Sequence, residues 1–383
     1  MFFGRDELIA KLVKSAVRGD YRTVVIWGQM RTGKSTVLLQ LKRKLLEVGR
    51  LGTGPLRVLP VSFSLLDTIV ELTFPSFLNK IVRSIADDLN EMAKHGWPPL
   101  DLGPLPVIEQ HSNAQATLHD CMQRIRQALD AHPAYAGAQI VLLIDEFTHL
   151  YKQIRKKRVP DTFMQAWKGM YEKRYFSSVI VGTDVMPEFI SQYRNEFQVS
   201  QKHKVNYLTL EYATKLIEVP IPLPDGESRF RGDAVRQIFD LTAGNPYYIQ
   251  FFCEHLVDHI NEKQALLIGP GDVEEVASSL IEDSVFNDDN VDNLIAPSSL
   301  MADAPTANLT LKVLLACVGG TPVAPSFDVE TPAAQEIPET AVVLSDLANR
   351  EVIQQLQGTR FQVRVGLFAR WLVHQANLGR RSA

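Results

Sequence analysis

The apolar residues of the first 210 positions follow two patterns, short β-branched runs and longer segments with helical spacing. The runs predict strands and the longer segments predict helices. The predicted strands are Val24–Trp27, Arg57–Phe63, Ile140–Ile144, Ser178–Val181 and, with a weaker pattern, Lys204–Leu208. Helical patterns lie between them, notably at Phe74–Met92, Ala116–Ala131 and Thr162–Lys173. Strands that alternate with helices indicate an α/β fold with a mostly parallel sheet covered on both faces.

Helical spacing alone dominates the chain from about Tyr212 onwards. It is present at Glu211–Glu218, Arg231–Thr242 and Pro246–Gln264. A fourth helix is expected to begin at a cap formed by Gly271-Asp272 and to run to about Glu282. The following segment, Asn287–Ala307, is rich in Asp, Asn, Pro and Ser and is predicted to be a loop. We therefore expect an α/β domain at residues 1–210 and a helical lid domain at residues 211–290.

The last region, residues 291–383, combines helices with a β-hairpin. The predicted order is helix, loop, helix, hairpin and helix, and Asn308 is available to cap the first helix. These elements lie at Leu309–Val318, Thr321–Glu339, Thr340–Arg350, Val352–Leu356 with Phe361–Val365, and a closing helix around Leu367–Leu372. Helices followed by a hairpin wing predict a winged-helix domain.

The segment after the first predicted strand carries the clearest chemical motif, a G-x-x-x-x-G-K-[ST] phosphate loop. It is followed by a helical pattern, Ser35–Val48, that we expect to stop at Gly49. The N–H groups of such a loop and of the helix start point at the phosphates of a nucleotide. Lys34 would contact the β- and γ-phosphates, and the Ser35 hydroxyl would ligate Mg²⁺. We expect ATP or ADP to be bound by Gly28, Met30, Arg31, Thr32, Gly33, Lys34, Ser35 and Thr36.

A second motif supplies carboxylates for the same chemistry. The apolar run Gln139–Ile144 ends in Asp145 and Glu146. A strand here places Asp145 at the carboxyl edge of the sheet, where α/β proteins bind their ligands. Asp145 would hold Mg²⁺ as a Walker B acid. Glu146 would orient or deprotonate the attacking water.

Composition limits the classes of protein to consider. The 383 residues are 45% apolar and 22% charged, which suits two or three globular domains, and the net charge of −4 gives no overall attraction to nucleic acid or anionic membranes. The cysteines Cys121, Cys253 and Cys317 lack C-x-x-C spacing and are expected to be reduced and buried. No apolar run reaches the about 18 residues that span a bilayer, and no signal peptide opens the chain. We expect a cytoplasmic protein without a membrane partner.

Several further motifs together resemble the STAND class of signal-transducing NTPases, which are relatives of the AAA+ ATPases. Besides the phosphate loop and Asp145-Glu146-Phe147, they are Phe3-Gly4-Arg5, Val179–Thr183, Gly244-Asn245-Pro246 and Phe361–Val365 with Trp371-Leu372. In that class the nucleotide sits between the α/β domain, the lid and the winged helix. The resemblance implies that Arg5 borders the adenine, that Pro246 packs near the base, and that Thr183 senses phosphate.

The sequence departs from that class at two positions. Some relatives carry an arginine two residues beyond the strand of the Val179–Thr183 motif, where it touches the γ-phosphate, but here Gly182-Thr183 is followed by Asp184, which would repel phosphate. The winged helix also lacks the Met-His-Asp signature with which some relatives retain ADP. Arg364 lies near the position of that histidine and could replace it, or it could be an exposed strand arginine.

The resemblance implies an ATPase that works as a molecular switch. ADP would keep the chain closed, and ATP would open it for assembly into a homo-oligomer. Signalling of this kind, in bacterial defence or regulation, implies sensor and effector protein domains in cis or in trans. The chain could be a core segment of such a protein or a minimal version of it, because its first motif begins at Phe2.

The alternative is a DNA-binding AAA+ initiator or transposition ATPase whose winged helix contacts DNA. Charge disfavours a nucleic-acid partner, because the helix before the wing, Thr340–Asn349, contains Asp346 and no Lys or Arg. Residues Leu309–Ala383 carry seven Lys or Arg against six Asp or Glu. One dense basic run, Lys152–Arg158, follows the Walker B motif and is either a solvated helix end or a surface for phosphates or an acidic partner.

Overall fold

We analysed a computed structural model of the chain. It describes residues 2–17, 23–50, 57–66, 72–109, 113–297, 299–301, 304–318, 326–328 and 332–381. The chain divides into two compact units. The first, called here the α/β unit, comprises Arg5–Gly28 and Lys34–Val205. The second, called the helical unit, comprises the residues before Arg5, Gln29–Gly33 and the chain from Asn206 onwards.

The α/β unit is built on one five-stranded parallel sheet with the order β2-β3-β4-β1-β5. The strands are β1 Thr23–Trp27, β2 Val58–Ser64, β3 Gln139–Asp145, β4 Ser177–Gly182 and β5 Gln201–Lys204. Four of the five residues of β1 and five of the six residues of β4 are buried, as expected for a sheet with helices on both faces. The predicted α/β fold with a parallel sheet is therefore confirmed.

The last strand of this sheet begins earlier than predicted. β5 pairs with β1 over Gln201–Lys204, whereas the apolar pattern placed a strand at Lys204–Leu208. Lys202 and Lys204 are exposed because β5 is an edge strand, and an edge strand needs no continuous apolar run.

Seven helices surround the sheet in the described part of this unit. They are α1 Asp6–Val17, α2 Lys34–Arg50, α3 Phe74–Lys94, α4 Ala114–Ala131, α5 Thr148–Arg155, α6 Phe163–Glu172 and α7 Met186–Gln192. The start of α3 has a capping box, in which Thr73 and Ser76 exchange hydrogen bonds with each other's backbone N–H. The predicted stop at Gly49 is wrong, because α2 continues through it to Arg50. α5 and α7 have eight and seven residues, too few for a helical pattern to be distinguished.

The helical unit contains nine helices and one antiparallel sheet among its described residues. The helices are α8 Leu210–Glu218, α9 Ala234–Thr242, α10 Pro246–Lys263, α11 Pro270–Glu282, α12 Asp288–Ile295, α13 Ala307–Val318, α14 Pro332–Gln335, α15 Thr340–Asn349 and α16 Gly366–Arg381. The strands β6 Ser326–Asp328, β7 Ile353–Gln355 and β8 Arg360–Val363 pair in the order β6-β8-β7.

Two segments predicted to be loops contain regular structure. α12 lies inside Asn287–Ala307, where Asn287 caps the helix in a capping box with Asn290. Its buried Val291, Leu294 and Ile295 have helical spacing, but the surrounding Asp and Asn residues hide that pattern. The segment Thr321–Glu339 likewise contributes β6 and α14.

Two predicted helix caps are wrong by a few residues. α11 begins after Gly269, whose N–H donates to the Asp272 carboxylate at 2.8 Å, so Asp272 acts from inside the first turn. Asn308 is likewise inside α13, which starts at Ala307. In both cases the predicted polar residue lies near the start of the helix, but it is inside the first turn and not at the cap position.

Buried side chains from Leu208 to Leu372 form a single hydrophobic cluster in the helical unit. The division into a lid at residues 211–290 and a winged helix at 291–383 therefore stays a prediction. The order α13-β6-α14-α15-β7-β8-α16 joins helices to an antiparallel hairpin, as the predicted wing requires. In the described part of the chain, no helix is both long and apolar enough to cross a bilayer.

Candidate nucleotide-binding site

The phosphate loop lies between β1, which ends at Trp27, and α2, which begins at Lys34. At Gly28 the backbone passes so close to Val205 that an added Cβ would lie 2.4 Å from the Val205 carbonyl oxygen. Gly33 has φ +86°, a left-handed conformation that favours glycine. Both glycines of the motif are thus required by the path of the backbone. Thr32 Oγ1 donates to the Gln29 carbonyl oxygen at 2.9 Å and closes the turn between them.

Lys34 is buried in the α/β unit, with 7% of its surface exposed. Burial lowers the pKa of its ammonium group, and the carboxylates of Asp184, Glu146 and Asp145 oppose this by stabilising the charge. Three acids from the ends of two strands thus act on the one lysine expected to contact phosphates. Ser35 and Thr36, the next residues of the motif, are exposed.

Asp145 and Glu146 lie where β3 meets the turn into α5. Asp145 is the last residue of β3, and its Oδ1 accepts a 2.9 Å hydrogen bond from the N–H of Glu146. Glu146 has φ +54°, which an L-residue other than glycine adopts at a cost of about 1–3 kcal/mol. The N–H of Phe147 donates to the Val181 carbonyl oxygen of β4 at 2.7 Å and holds the turn against the sheet.

The electrostatic setting of Glu146 suits a base. Burial raises the pKa of its carboxyl group, the charge of Asp145 raises it further, and Lys34 and Lys152 act in the opposite direction. A carboxylate with a raised pKa accepts a proton more readily at neutral pH than an ordinary glutamate does. Asp145, together with the exposed Ser35, offers the oxygen donors that Mg²⁺ prefers.

Thr183 follows β4 at the same carboxyl edge of the sheet. Its N–H donates to Oγ1 of the buried Thr148 at 2.8 Å, so the first residue of α5 positions it. Thr148 was missed by the sequence analysis, because nothing in its neighbourhood marks it before the strands are assembled. Asp184 was expected to repel phosphate, and the structure adds that its charge stabilises Lys34.

The side chains of Gln29 and Arg31 make contacts within the helical unit. Gln29 donates through Nε2 to the carbonyl oxygen of Arg350 and accepts through Oε1 from the hydroxyl of Tyr207. The guanidinium of Arg31 lies 4.3 Å from the ring centroid of Tyr247, a cation–π contact. These partners could not be predicted from the sequence, since Arg350 is 321 positions from Gln29.

Three residues implied by the family resemblance also have defined surroundings. Pro246 is close to the loop, because a Cβ added to Gly33 would lie 3.9 Å from its Cγ. Arg364, just beyond β8, forms a 2.9 Å ion pair with Glu351, and its guanidinium lies 5.4 Å from the Tyr207 ring centroid. Arg5 precedes α1 in the α/β unit, where burial lowers the pKa of its guanidinium. Met30 is exposed.

Residues 17–188 match the family model of the AAA domain. Over these residues the chain is therefore similar to a P-loop domain of the AAA type. The match includes the phosphate loop, Asp145 and Glu146, Thr183, and the strands β1 to β4. It covers somewhat less than half of the chain and supports the AAA+ class of P-loop NTPases. It does not distinguish the STAND class that the sequence motifs resemble.

Solved structures similar to the chain over most of its length include the following three. Cdc6p from Pyrobaculum aerophilum is 13% identical, with 98% of this chain and 94% of that chain covered and a TM-score of 0.45. The Drosophila ORC structure bound to DNA is 12% identical, with 98% and 87% covered and a TM-score of 0.47. The RuvB Holliday junction branch migration motor from Thermotoga maritima is 12% identical, with 94% and 93% covered and a TM-score of 0.45. These likenesses are too weak to infer function, and no curated protein matches the sequence.

Proposed function

We propose that the chain is an ATPase that binds ATP with Mg²⁺ through its phosphate loop and hydrolyses it. One observation carries the proposal: the buried Lys34 begins the helix after β1, and Asp145 and Glu146 lie at the end of β3, a strand of the same parallel sheet. A buried lysine beside a carboxylate pair at the carboxyl edge of a parallel sheet is suited to hold phosphates and a metal ion.

In this proposal each residue of the site has a separate role in nucleotide binding or hydrolysis. The backbone from Gly28 to Gly33 and the start of α2, with Thr36, surrounds the phosphates, and Lys34 neutralises charge on the β- and γ-phosphates. Ser35 and Asp145 hold Mg²⁺, which would neutralise the charge that develops on the phosphate oxygens. Glu146 accepts a proton from the attacking water, and Thr183 hydrogen-bonds to the γ-phosphate.

The remaining residues of the loop and of the helical unit would respond to the bound nucleotide. Arg5 and Pro246 would border the base. Arg364 would contact the β-phosphate of ADP, for which it would exchange its present partner Glu351. Gln29 and Arg31 connect the loop with Arg350 and Tyr247, so a loop that moves with the nucleotide would move these contacts. We propose that the chain assembles into a homo-oligomer in the ATP-bound form.

We further propose that the ATPase acts on duplex DNA. Support comes from the AAA domain and from the order of helices and hairpin after Ala307, which is typical of winged helices. On α15 the exposed side chains Ser345 and Asn349 can hydrogen-bond to base edges, and Arg360 is exposed at the start of β8. The signalling switch of the STAND class, which was expected first, has no support in the family match.

The experiment is a measurement of phosphate release by the full chain with Mg²⁺ and ATP, with and without a 30-base-pair duplex. The proposal expects turnover that stops when EDTA removes Mg²⁺ and that changes when duplex is added. An Asn349→Ala, Arg360→Gln variant should keep basal turnover and lose the response to duplex. Turnover that is insensitive to EDTA would contradict the ATPase proposal, and a wild-type response shared by the variant would contradict the winged-helix proposal.

A further inference from the structure

Five basic side chains are exposed together at the end of α5 and in the turn that follows it. We call this group the basic turn, and it consists of Lys152, Arg155, Lys156, Lys157 and Arg158. The whole chain has a net charge of −4, so the basic turn departs strongly from the overall charge of the chain. Lys152 lowers the pKa of Glu146 in the nucleotide site, whereas the other four residues have no role assigned there or in the predicted wing.

The backbone of the basic turn is fixed by hydrogen bonds. The N–H of Lys157 donates to the Ile154 carbonyl oxygen at 2.8 Å, and the N–H of Arg158 donates to the Gln153 carbonyl oxygen at 3.0 Å. Lys157 has φ +57°, a left-handed conformation that turns the chain sharply after α5. The cationic side chains are therefore carried on a defined backbone path.

Buried residues anchor the same segment to the α/β unit. Leu150, Tyr151 and Ile154 on one face of α5 are buried, and so is Val159 directly after the turn. The opposite face and the turn itself are left for the basic side chains. This arrangement holds the charges at the surface before any ligand arrives, so little ordering is required on binding.

The chemistry of the surface favours the backbone of a nucleic-acid duplex. Regularly spaced phosphates pair with clustered Lys and Arg and release counterions. Proteins that hold single strands add exposed aromatic side chains on which bases stack. In this segment Phe147, Tyr151 and Phe163 are all buried, so the surface offers charge without a stacking platform.

We propose that the basic turn binds the phosphodiester backbone of duplex nucleic acid without reading its sequence. The partner is shared with the proposed function, but the surface lies in the α/β unit and does not depend on the predicted wing. α5 begins two residues after Glu146, so the basic turn and the proposed base lie at opposite ends of one eight-residue helix. Binding at the turn is therefore placed to affect hydrolysis.

The test compares two variants of the full chain that lose the same charge. One is Arg155→Gln, Lys156→Gln, Lys157→Gln, and the control removes three dispersed exposed cations of the α/β unit by Lys14→Gln, Arg43→Gln, Lys168→Gln. Fluorescence anisotropy measures binding to a labelled 30-base-pair duplex of mixed sequence over a series of salt concentrations. Circular dichroism and basal ATP turnover check that each variant is folded.

The basic-turn variant should bind the duplex at least about tenfold more weakly than the control. The slope of log affinity against log salt should fall by about two to three, since each lost phosphate contact contributes about 0.9. Equal affinity and slope in the two variants would overturn the inference, as would failure of the wild-type chain to bind the duplex. Competition by polyglutamate as effective as that by unlabelled duplex would also overturn it, and tighter binding of a single strand would contradict the duplex assignment.

The same measurement separates this inference from the proposed winged helix. Loss of binding in the basic-turn variant, with the Asn349→Ala, Arg360→Gln variant unaffected, would support the inference and contradict the proposed role of the wing. The reverse result would contradict the inference and leave the wing in place.

Discussion

The backbone N–H of Glu146 donates a 2.9 Å hydrogen bond to Oδ1 of Asp145, and Glu146 adopts a left-handed conformation. The carboxylate that we assign to the metal ion is thereby oriented by the residue that we assign as the base. The strained position of Glu146 follows directly from β3, since the chain must leave the sheet within one residue and enter α5 at Thr148. Such strain at a candidate site is consistent with a functional role.

Replacement of Glu146 by glycine or alanine measures this strain. Glycine adopts φ +54° freely, whereas alanine is strained there as glutamate is. We expect the Glu146→Gly variant to be more stable than the Glu146→Ala variant. The difference in free energy of unfolding, measured by urea denaturation, should be about 1 kcal/mol. Both variants should be inactive in hydrolysis. A less stable glycine variant would mean that the left-handed conformation is not populated in solution.

Lys34→Ala should abolish the binding of ATP. The substitution removes a charge-assisted contact to the phosphates, worth about 2–3 kcal/mol or more. Isothermal titration calorimetry with ATP and Mg²⁺ measures the loss, and Arg43→Ala on the exposed face of α2 is the control. Equal affinities for the Lys34 variant and the wild type would contradict the proposal that the phosphate loop binds ATP.

Thr148→Val should impair hydrolysis, although Thr148 is not among the residues expected to contact the nucleotide. Valine keeps the shape of the buried threonine but leaves the N–H of Thr183 without its 2.8 Å acceptor. An unsatisfied buried donor costs about 1–3 kcal/mol, so we expect a similar loss in free energy of unfolding and a lower kcat. Thr148→Ser, which keeps the hydroxyl, should restore both quantities. A serine variant as impaired as the valine variant would assign the effect to packing alone.

Arg364→Ala should shorten the retention of ADP. If Arg364 contacts the β-phosphate, its removal weakens binding, whereas Glu351→Gln frees Arg364 from its 2.9 Å ion pair and should not weaken it. Release of a fluorescent ADP analogue in stopped flow measures retention, and light scattering reports whether Arg364→Ala also assembles spontaneously. Equally fast release from both variants would indicate that the ion pair between Arg364 and Glu351, and not a contact of Arg364 with the β-phosphate, retains ADP.

The phosphate loop and the Asp145-Glu146 pair could be located from sequence because each is contiguous and each follows an apolar strand. The sheet was predictable for the same reason, except at its polar edge strand β5. Lys34, Asp145 and Glu146 are brought together because the strands β1 and β3 run parallel and end at one edge of the sheet. Their positions follow from motif and topology.

The residues that surround the loop could not be predicted. Tyr207 and Arg350 contact Gln29 only after the chain has folded over a long sequence separation, and no motif marks them. α12 was missed because five Asp or Asn residues among its eight obscure the buried Val291, Leu294 and Ile295. The local sequence pattern is thus sufficient to predict the phosphate loop and the Asp145-Glu146 pair. The residues that hold the loop in place are determined by long-range packing.

Phosphate release by Glu146→Gln, compared with the wild type under saturating Mg²⁺ and ATP, tests the central claim most directly. The substitution keeps the size of the side chain and the metal ligand Asp145 but removes the base. The account predicts that the variant binds ATP as tightly as the wild type and hydrolyses it about a hundredfold more slowly or worse. Equal turnover in the two proteins would contradict the account and remove Glu146 from the reaction.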